Sequence, residues 1–66
     1  MAETGPDSQH VPELNVGDLV SEKAATPKRV GRVVQVYDFS GERRIVVRFD
    51  EGSEAVFFAF ELLKET

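Results

Sequence analysis

One histidine, three serines in the body of the chain and two adjacent carboxylates are the residues from which a reaction would have to be built. His10 lies in the stretch 1–12, among Gly5, Pro6, Asp7, Ser8 and Gln9. A general base needs a fixed position relative to its substrate, so His10 reads as a solvated linker residue. Ser40 and Ser53 sit in turn contexts, where hydroxyls bond locally, and no base is placed to serve either them or Ser21. Asp50 and Glu51 are read as turn formers, since the oxygen-rich ligand set that a hard cation needs is absent. Gly17, Gly31, Gly41 and Gly52 are scattered at turns and strand starts, and none belongs to a phosphate-cradling run that leads into a helix. No catalytic residue, cofactor-binding residue or metal ligand is therefore expected, and an enzyme is the reading with the least support.

The side chains suited to binding are more numerous. Tyr37, Phe39, Phe49, Phe57, Phe58 and Phe60 fall within 24 consecutive positions. One assignment puts Phe49, Phe60 and either Phe57 or Phe58 in the core, with the others capping its ends. The other makes Tyr37, Phe39 and Phe58 an exposed apolar patch that docks on a partner. Arg32, Arg43, Arg44 and Arg48 offer a local positive field. The competing assignment for the basic residues is a solvated outer face, charge-paired with Glu42, Asp38 and Glu22.

Composition narrows the classes. The chain has 66 residues, enough for one domain. At this size a core supplies only about 3–5 kcal/mol. With no cysteine there is neither a disulfide staple nor a zinc-binding cluster to add to it. No apolar run approaches the length of a membrane span, and the first 14 residues carry Glu3, Asp7 and Glu13 with no base, unlike a signal peptide. A cytoplasmic monomer with no membrane association is expected. The net charge of −4 is unevenly spread: residues 1–15 carry −3, residues 16–49 carry +3 and residues 50–66 carry −4. An acidic total disfavours nucleic acid as the partner, while the basic middle keeps a local patch possible.

Residues 1–13 read as a disordered N-terminal tail, and residues 14–66 as one β domain. A first strand is expected over 16–23, interrupted at Gly17–Asp18, then a loop around Pro27. The second strand, 30–37, is rich in valine. Val33 and Val36 would fall on opposite faces under strict alternation, as in a strongly bent strand. A turn at Ser40–Gly41 leads to the third strand, 43–49. There Ile45, Val47 and Phe49 form the core face, and Arg44, Val46 and Arg48 point outward. Asp50, Glu51 and Gly52 make a three-residue hairpin loop. The fourth strand, 53–58, pairs back on the third; a 3₁₀ turn and a short last strand, 62–65, follow. Five short strands in so few residues imply a small barrel.

The segments Val16-Gly17-Asp18-Leu19-Val20, Val30-Gly31-Arg32-Val33-Val34-Gln35-Val36, Ile45-Val46-Val47-Arg48-Phe49-Asp50-Glu51-Gly52 and Phe60-Glu61-Leu62-Leu63 occur in an order that resembles SH3-like barrels of the KOW and Tudor type. The pattern is similar to the C-terminal Tudor-like domain of the UvrD and PcrA helicases. More weakly, it resembles the small SH3-like barrel found in photosystem I, where the closing strand is similar to Ala59-Phe60-Glu61-Leu62. The resemblance implies the fold over residues 14–65, an all-β, five-stranded SH3-like barrel. Such barrels host many unrelated functions. A methyl-lysine cage is not expected, because the loop 21–29 contains no aromatic residue.

Three functions remain from this reading. The first is a non-catalytic protein-interaction module that uses Arg32, Arg43, Arg44, Arg48, Tyr37, Phe39 and Phe58 on the outer face of strands two and three. The second is a nucleic-acid-associated barrel that contacts phosphates through Arg32, Arg43, Arg44 and Arg48. The third, implied by the photosystem resemblance, is an accessory protein docking an acidic redox protein.

Overall fold

A computed structural model describes residues 13–65, so all but the end of the expected tail, His10 included, lies outside the described residues. The fold is all-β. Strands β1 (Leu19–Glu22), β2 (Val30–Phe39), β3 (Glu42–Phe49), β4 (Glu54–Phe58) and β5 (Leu62–Lys64) form one antiparallel sheet in the order β4-β3-β2-β1-β5. A 3₁₀ turn, Ala59–Glu61, carries the chain from β4 to β5. No ladder joins β4 to β5 among the described residues, so the sheet ends in two edges.

Period-two alternation decides β3. Ile45, Val47 and Phe49 are buried in the core, with Leu14, Val20, Val33 and Leu62 around them. Val36, Ala55, Phe57 and Ala59 pack against this cluster from its margins. All five strands thus direct side chains to one cluster, which requires the sheet to curl around it. The mismatch between Val33 and Val36 is resolved by a register shift between Val33 and Gln35, which leaves Val34 as the extra residue. A bulge of this kind resets the alternation and bends the strand. Val33 and Val36 then both face inward, opposite Val47 and Ile45.

The turns follow their residue types. Ser40 and Gly41 take φ of 53° and 80°, which joins β2 to β3 by a two-residue connection of the kind that matches strand twist. Gly52, at φ 97°, donates its N–H to the Phe49 carbonyl at 2.8 Å and closes the three-residue loop. The first strand is shorter than expected. Residues 15–18 form a turn in which Asp18 N–H donates to the Asn15 carbonyl at 3.0 Å, while Asn15 N–H donates to Asp18 Oδ2 at 2.9 Å. Val16 lies at its exposed tip, and Leu14 supplies the buried side chain at this end.

β1 is buried on both faces at its centre. Val20 enters the core, and Ser21 beside it is buried on the opposite face, where its hydroxyl donates to Glu65 Oε2. Lys28 Nζ lies 2.9 Å from Glu65 Oε1, and Glu65 N–H donates to the Leu19 carbonyl at 2.8 Å. These contacts fasten the segment after β5 to β1. The Ser21 hydrogen bond, with Lys28 next, holds the Glu65 carboxyl below its ordinary value of 4.5. A depressed carboxyl contributes stability above the unfolded-state value and loses it as pH falls through the folded-state value. The stability gap between the parent and Ser21→Ala is therefore fully open at neutral pH and narrows below about pH 4.5. Urea melts of the pair across pH 3–7, taken about one unit apart, check this; a gap constant with pH contradicts it.

Candidate partner-binding face

Pairing across β2, β3 and β4 lays out the outer face of the sheet row by row. Arg32 lies opposite Arg48, Gln35 opposite Val46, Tyr37 opposite Arg44 and Phe39 opposite Glu42. On the other side of β3, Arg44 lies opposite Phe58, Val46 opposite Val56 and Arg48 opposite Glu54. Cross-strand partners share a face, so Arg32, Tyr37, Phe39, Arg44, Arg48 and Phe58 are brought together. Arg43 is not among them: it points to the opposite face, where its Nε donates to Asp38 Oδ1 at 3.1 Å. That carboxylate, by its hydrogen bond first and its charge second, raises the Arg43 pKa above its ordinary value.

Arg44 is the centre of the arrangement. Its guanidinium carbon lies 4.7 Å from the Phe58 ring centroid and 5.3 Å from that of Phe39, within cation–π range of both. Phe58 in turn stacks on Phe60, with centroids 5.4 Å apart and planes 6° from parallel. Nη2 of Arg44 is 3.8 Å from Glu42 Oε1, and its Nε is buried with no hydrogen-bond partner among the described residues. A guanidinium sandwiched in this way is a spacer that holds aromatic rings apart and in place. It is a weaker candidate for reaching a phosphate.

The other arginines are also engaged. Arg48 Nε donates to Glu54 Oε2 at 2.8 Å, and Arg32 Nη1 donates to the Gly17 carbonyl at 2.6 Å. Arg29 spans Glu22 and Glu51 at 3.4 Å each while its guanidinium carbon covers the Phe49 ring at 3.9 Å. These exposed ion pairs contribute little to stability. Their consequence for function is that the charges of Arg44 and Arg48 on this face are offset by Glu42 and Glu54, while Arg32 is held by a backbone carbonyl.

The structure decides one aromatic position that the sequence left open and reverses another. Phe57 is the inward member of its pair, opposite Ile45 and edge-to-face with Phe49 at 6.3 Å. Phe60, expected in the core, is 58% exposed, and Leu62 takes the buried place. Phe39 at 59% and Val56 at 51% are as open, and Tyr37 is at the margin of exposure. Val46, although on the outer face, is almost fully covered by its neighbours. An open groove of about 190 Å³, lined by Glu42, Arg43, Phe58, Ala59 and Phe60, adjoins the patch where β4 runs into the 3₁₀ turn. Phe60 and Val56 were missed in the sequence as surface anchors; Val56 was legible, since it shares the parity of Phe58 on β4.

Among the described residues there is no group of three or more histidine, cysteine, aspartate or glutamate residues that could hold a metal ion, and no helix long and apolar enough to cross a membrane. What the geometry defines is an all-β domain with an aromatic, arginine-braced outer face. Comparison with known proteins finds no family model, no curated relative and no solved structure that matches this chain.

Proposed function

We propose that this domain is a non-catalytic protein-interaction module that engages a partner through the outer face of β2 and β3, extended onto β4. The observation that carries this reading is the patch of Phe39, Phe60 and Val56, each more than half exposed, with Tyr37 and Phe58 beside them. The core is complete without these side chains. Exposed aromatic and aliphatic anchors braced by an arginine, with further charged residues around them, have the anatomy of a binding surface. The resemblance to SH3-like barrels of the KOW and Tudor type supports the same reading, as these barrels serve many binding roles.

Phosphate recognition by Arg32, Arg43, Arg44 and Arg48 gains less support. Arg43 faces away from the others, Arg44 is held between rings, and Arg48 is paired with Glu54. Docking of an acidic redox protein would draw on the same arginines and is weakened by the same pairings.

Truncating two anchors, Phe39→Ser with Phe60→Ser, is expected to weaken partner binding by more than about 30-fold, the equivalent of one hot spot of about 2 kcal/mol. The melting temperature should stay close to that of the parent. The parent is immobilised, the proteins it retains from its native host are identified, and their affinities for parent and variant are compared by titration. Equal affinities would remove the patch from the interface. Retention of nucleic acid that falls steeply with salt would favour the phosphate reading instead.

A further inference from the structure

β4 is an outer strand, and its free side has a defined hydrogen-bonding pattern. Phe49 N–H donates to the Ser53 carbonyl at 2.9 Å, which makes Phe49 and Ser53 a hydrogen-bonded pair. Along an antiparallel ladder such pairs alternate with non-bonded ones. The backbone groups of Ala55 and Phe57 are therefore turned toward Val47 and Ile45, and those of Glu54, Val56 and Phe58 away from β3. The Phe58 N–H confirms the phase, because it donates to Glu61 Oε1 at 2.8 Å instead of to β3. Among the described residues, nothing pairs with the outward N–H groups of Glu54 and Val56.

Exposed edges are ordinarily blunted by lysine, proline or a bulge. From residue 49 to 63 there is no lysine, arginine or proline, while Asp50, Glu51, Glu54 and Glu61 place acids at both ends of the strand. Glu54 is paired with Arg48 and Glu51 with Arg29, so Asp50 at one end and Glu61 at the other are the acids with no cation partner among the described residues. Between them stand the half-exposed Val56 and the apolar groove at Phe58, Ala59 and Phe60.

We propose that the outer edge of β4 accepts an added strand, an extended segment of a partner protein in which basic residues flank apolar ones. Its main chain pairs with Glu54 and Val56, an apolar side chain enters the groove, and its basic residues face the acids at the two ends. Charge selects this occupant over the alternatives. Two copies of β4 paired antiparallel about Val56 would bring Glu54 of each against the Phe58–Glu61 end of the other, with like charges in apposition. The chain's own first 15 residues carry three acids and no base. The site shares Val56, Phe58 and Phe60 with the margin of the aromatic outer face but leaves out Tyr37, Phe39 and Arg44, which come from β2 and β3.

The test uses the full chain, labelled with ¹⁵N, and a synthetic peptide of about nine alternating lysines and valines, roughly the length of a long strand. A peptide with glutamate in place of lysine serves as the comparison. The lysine peptide is expected to bind with a Kd below about 1 mM, and to slow amide exchange at Glu54 and Val56 by about tenfold or more, with the glutamate peptide inert. Val56→Pro should abolish binding while leaving the β3–β4 ladder, since a proline is tolerated where the N–H faces off the sheet. Glu51→Lys with Glu54→Lys should weaken the lysine peptide by about tenfold or more, through lost charge complementarity. Phe39→Ser should leave it unchanged, which separates this site from the outer face. Four results overturn the proposal: no binding at about 1 mM, equal binding of the glutamate peptide, undiminished binding to a folded Val56→Pro, or β4 protection that grows with protein concentration in the absence of peptide. The last would assign the edge to a second copy.

Discussion

Gly31→Val is expected to abolish the folded state at 37 °C. Gly31 is buried in β2, paired with Val20 on one side and Phe49 on the other. A Cβ at this position would come within 2.5 Å of Val47 Cγ1, 2.8 Å of the Arg48 carbonyl oxygen and 2.9 Å of Phe49 Cδ1. All three distances are shorter than real contacts allow, and one of the atoms is backbone in the central ladder. Val47 cannot retreat, because it is itself fully buried. Overpacking of a well-filled core costs about 1–3 kcal/mol and occasionally more; with a backbone atom in the way and two further methyl groups to place, the cost lies at or above the upper end. A domain of this size has about 3–5 kcal/mol in total. Thermal unfolding by circular dichroism checks the result, with Gly31→Ala as the milder variant. At about 4–8 °C per kcal/mol, a Gly31→Val melt within a few degrees of the parent would show that β2 and β3 are spaced differently from the arrangement described. Adding Val47→Ala to Gly31→Ala removes the nearest clashing atom, so the two substitutions should cost less together than their sum.

Gly31 also marks what the chain discloses on its own and what it withholds. Alternation in β3 is legible because from Ile45 to Phe49 one face is wholly apolar, while the other carries Arg44 and Arg48. The Asp50–Gly52 and Ser40–Gly41 turns are legible because their residue types meet a backbone requirement. Gly31 looks like one more turn or strand-start glycine, yet it serves a close approach between two strands, and only the pairing of β2 with β3 reveals that. The bulge at Val34 shows in the sequence as a break in phase at Val33 and Val36, which signals bending without saying which residue is extra. The site divides in the same way. Alternation puts Arg44 and Arg48 on the outer face, but the pairing of each arginine with an acid depends on register. So does the seating of Arg44 between Phe39 and Phe58, which come from β2 and β4.

The contrast between Leu62 and Phe60 leads to the second large effect. Leu62→Ala is expected to cost about 2–5 kcal/mol, enough to unfold most molecules, whereas Phe60→Ala should cost less than about 1 kcal/mol, the scale of its ring pairing with Phe58. From the sequence the larger, aromatic side chain is the natural choice for the core. The 3₁₀ turn decides otherwise. Ala59, Phe60 and Glu61 leave the period of β4 at this corner, so the inward direction passes from Phe57 to Ala59 and then to Leu62, and Phe60 is left on the outside. Leu62 is 1% exposed and opens β5, where its pairing with Glu22 joins this last strand to β1. Its truncation would leave a cavity at the junction that holds β5 to the sheet. Phe60 rests on Phe58 and borders the groove, and its loss removes exposed surface more than buried surface. Urea midpoints at a common slope measure both costs. If Phe60→Ala proved as destabilising as Leu62→Ala, Phe60 would belong to the core, and the proposed partner-binding face would lose one of its two most open aromatic anchors.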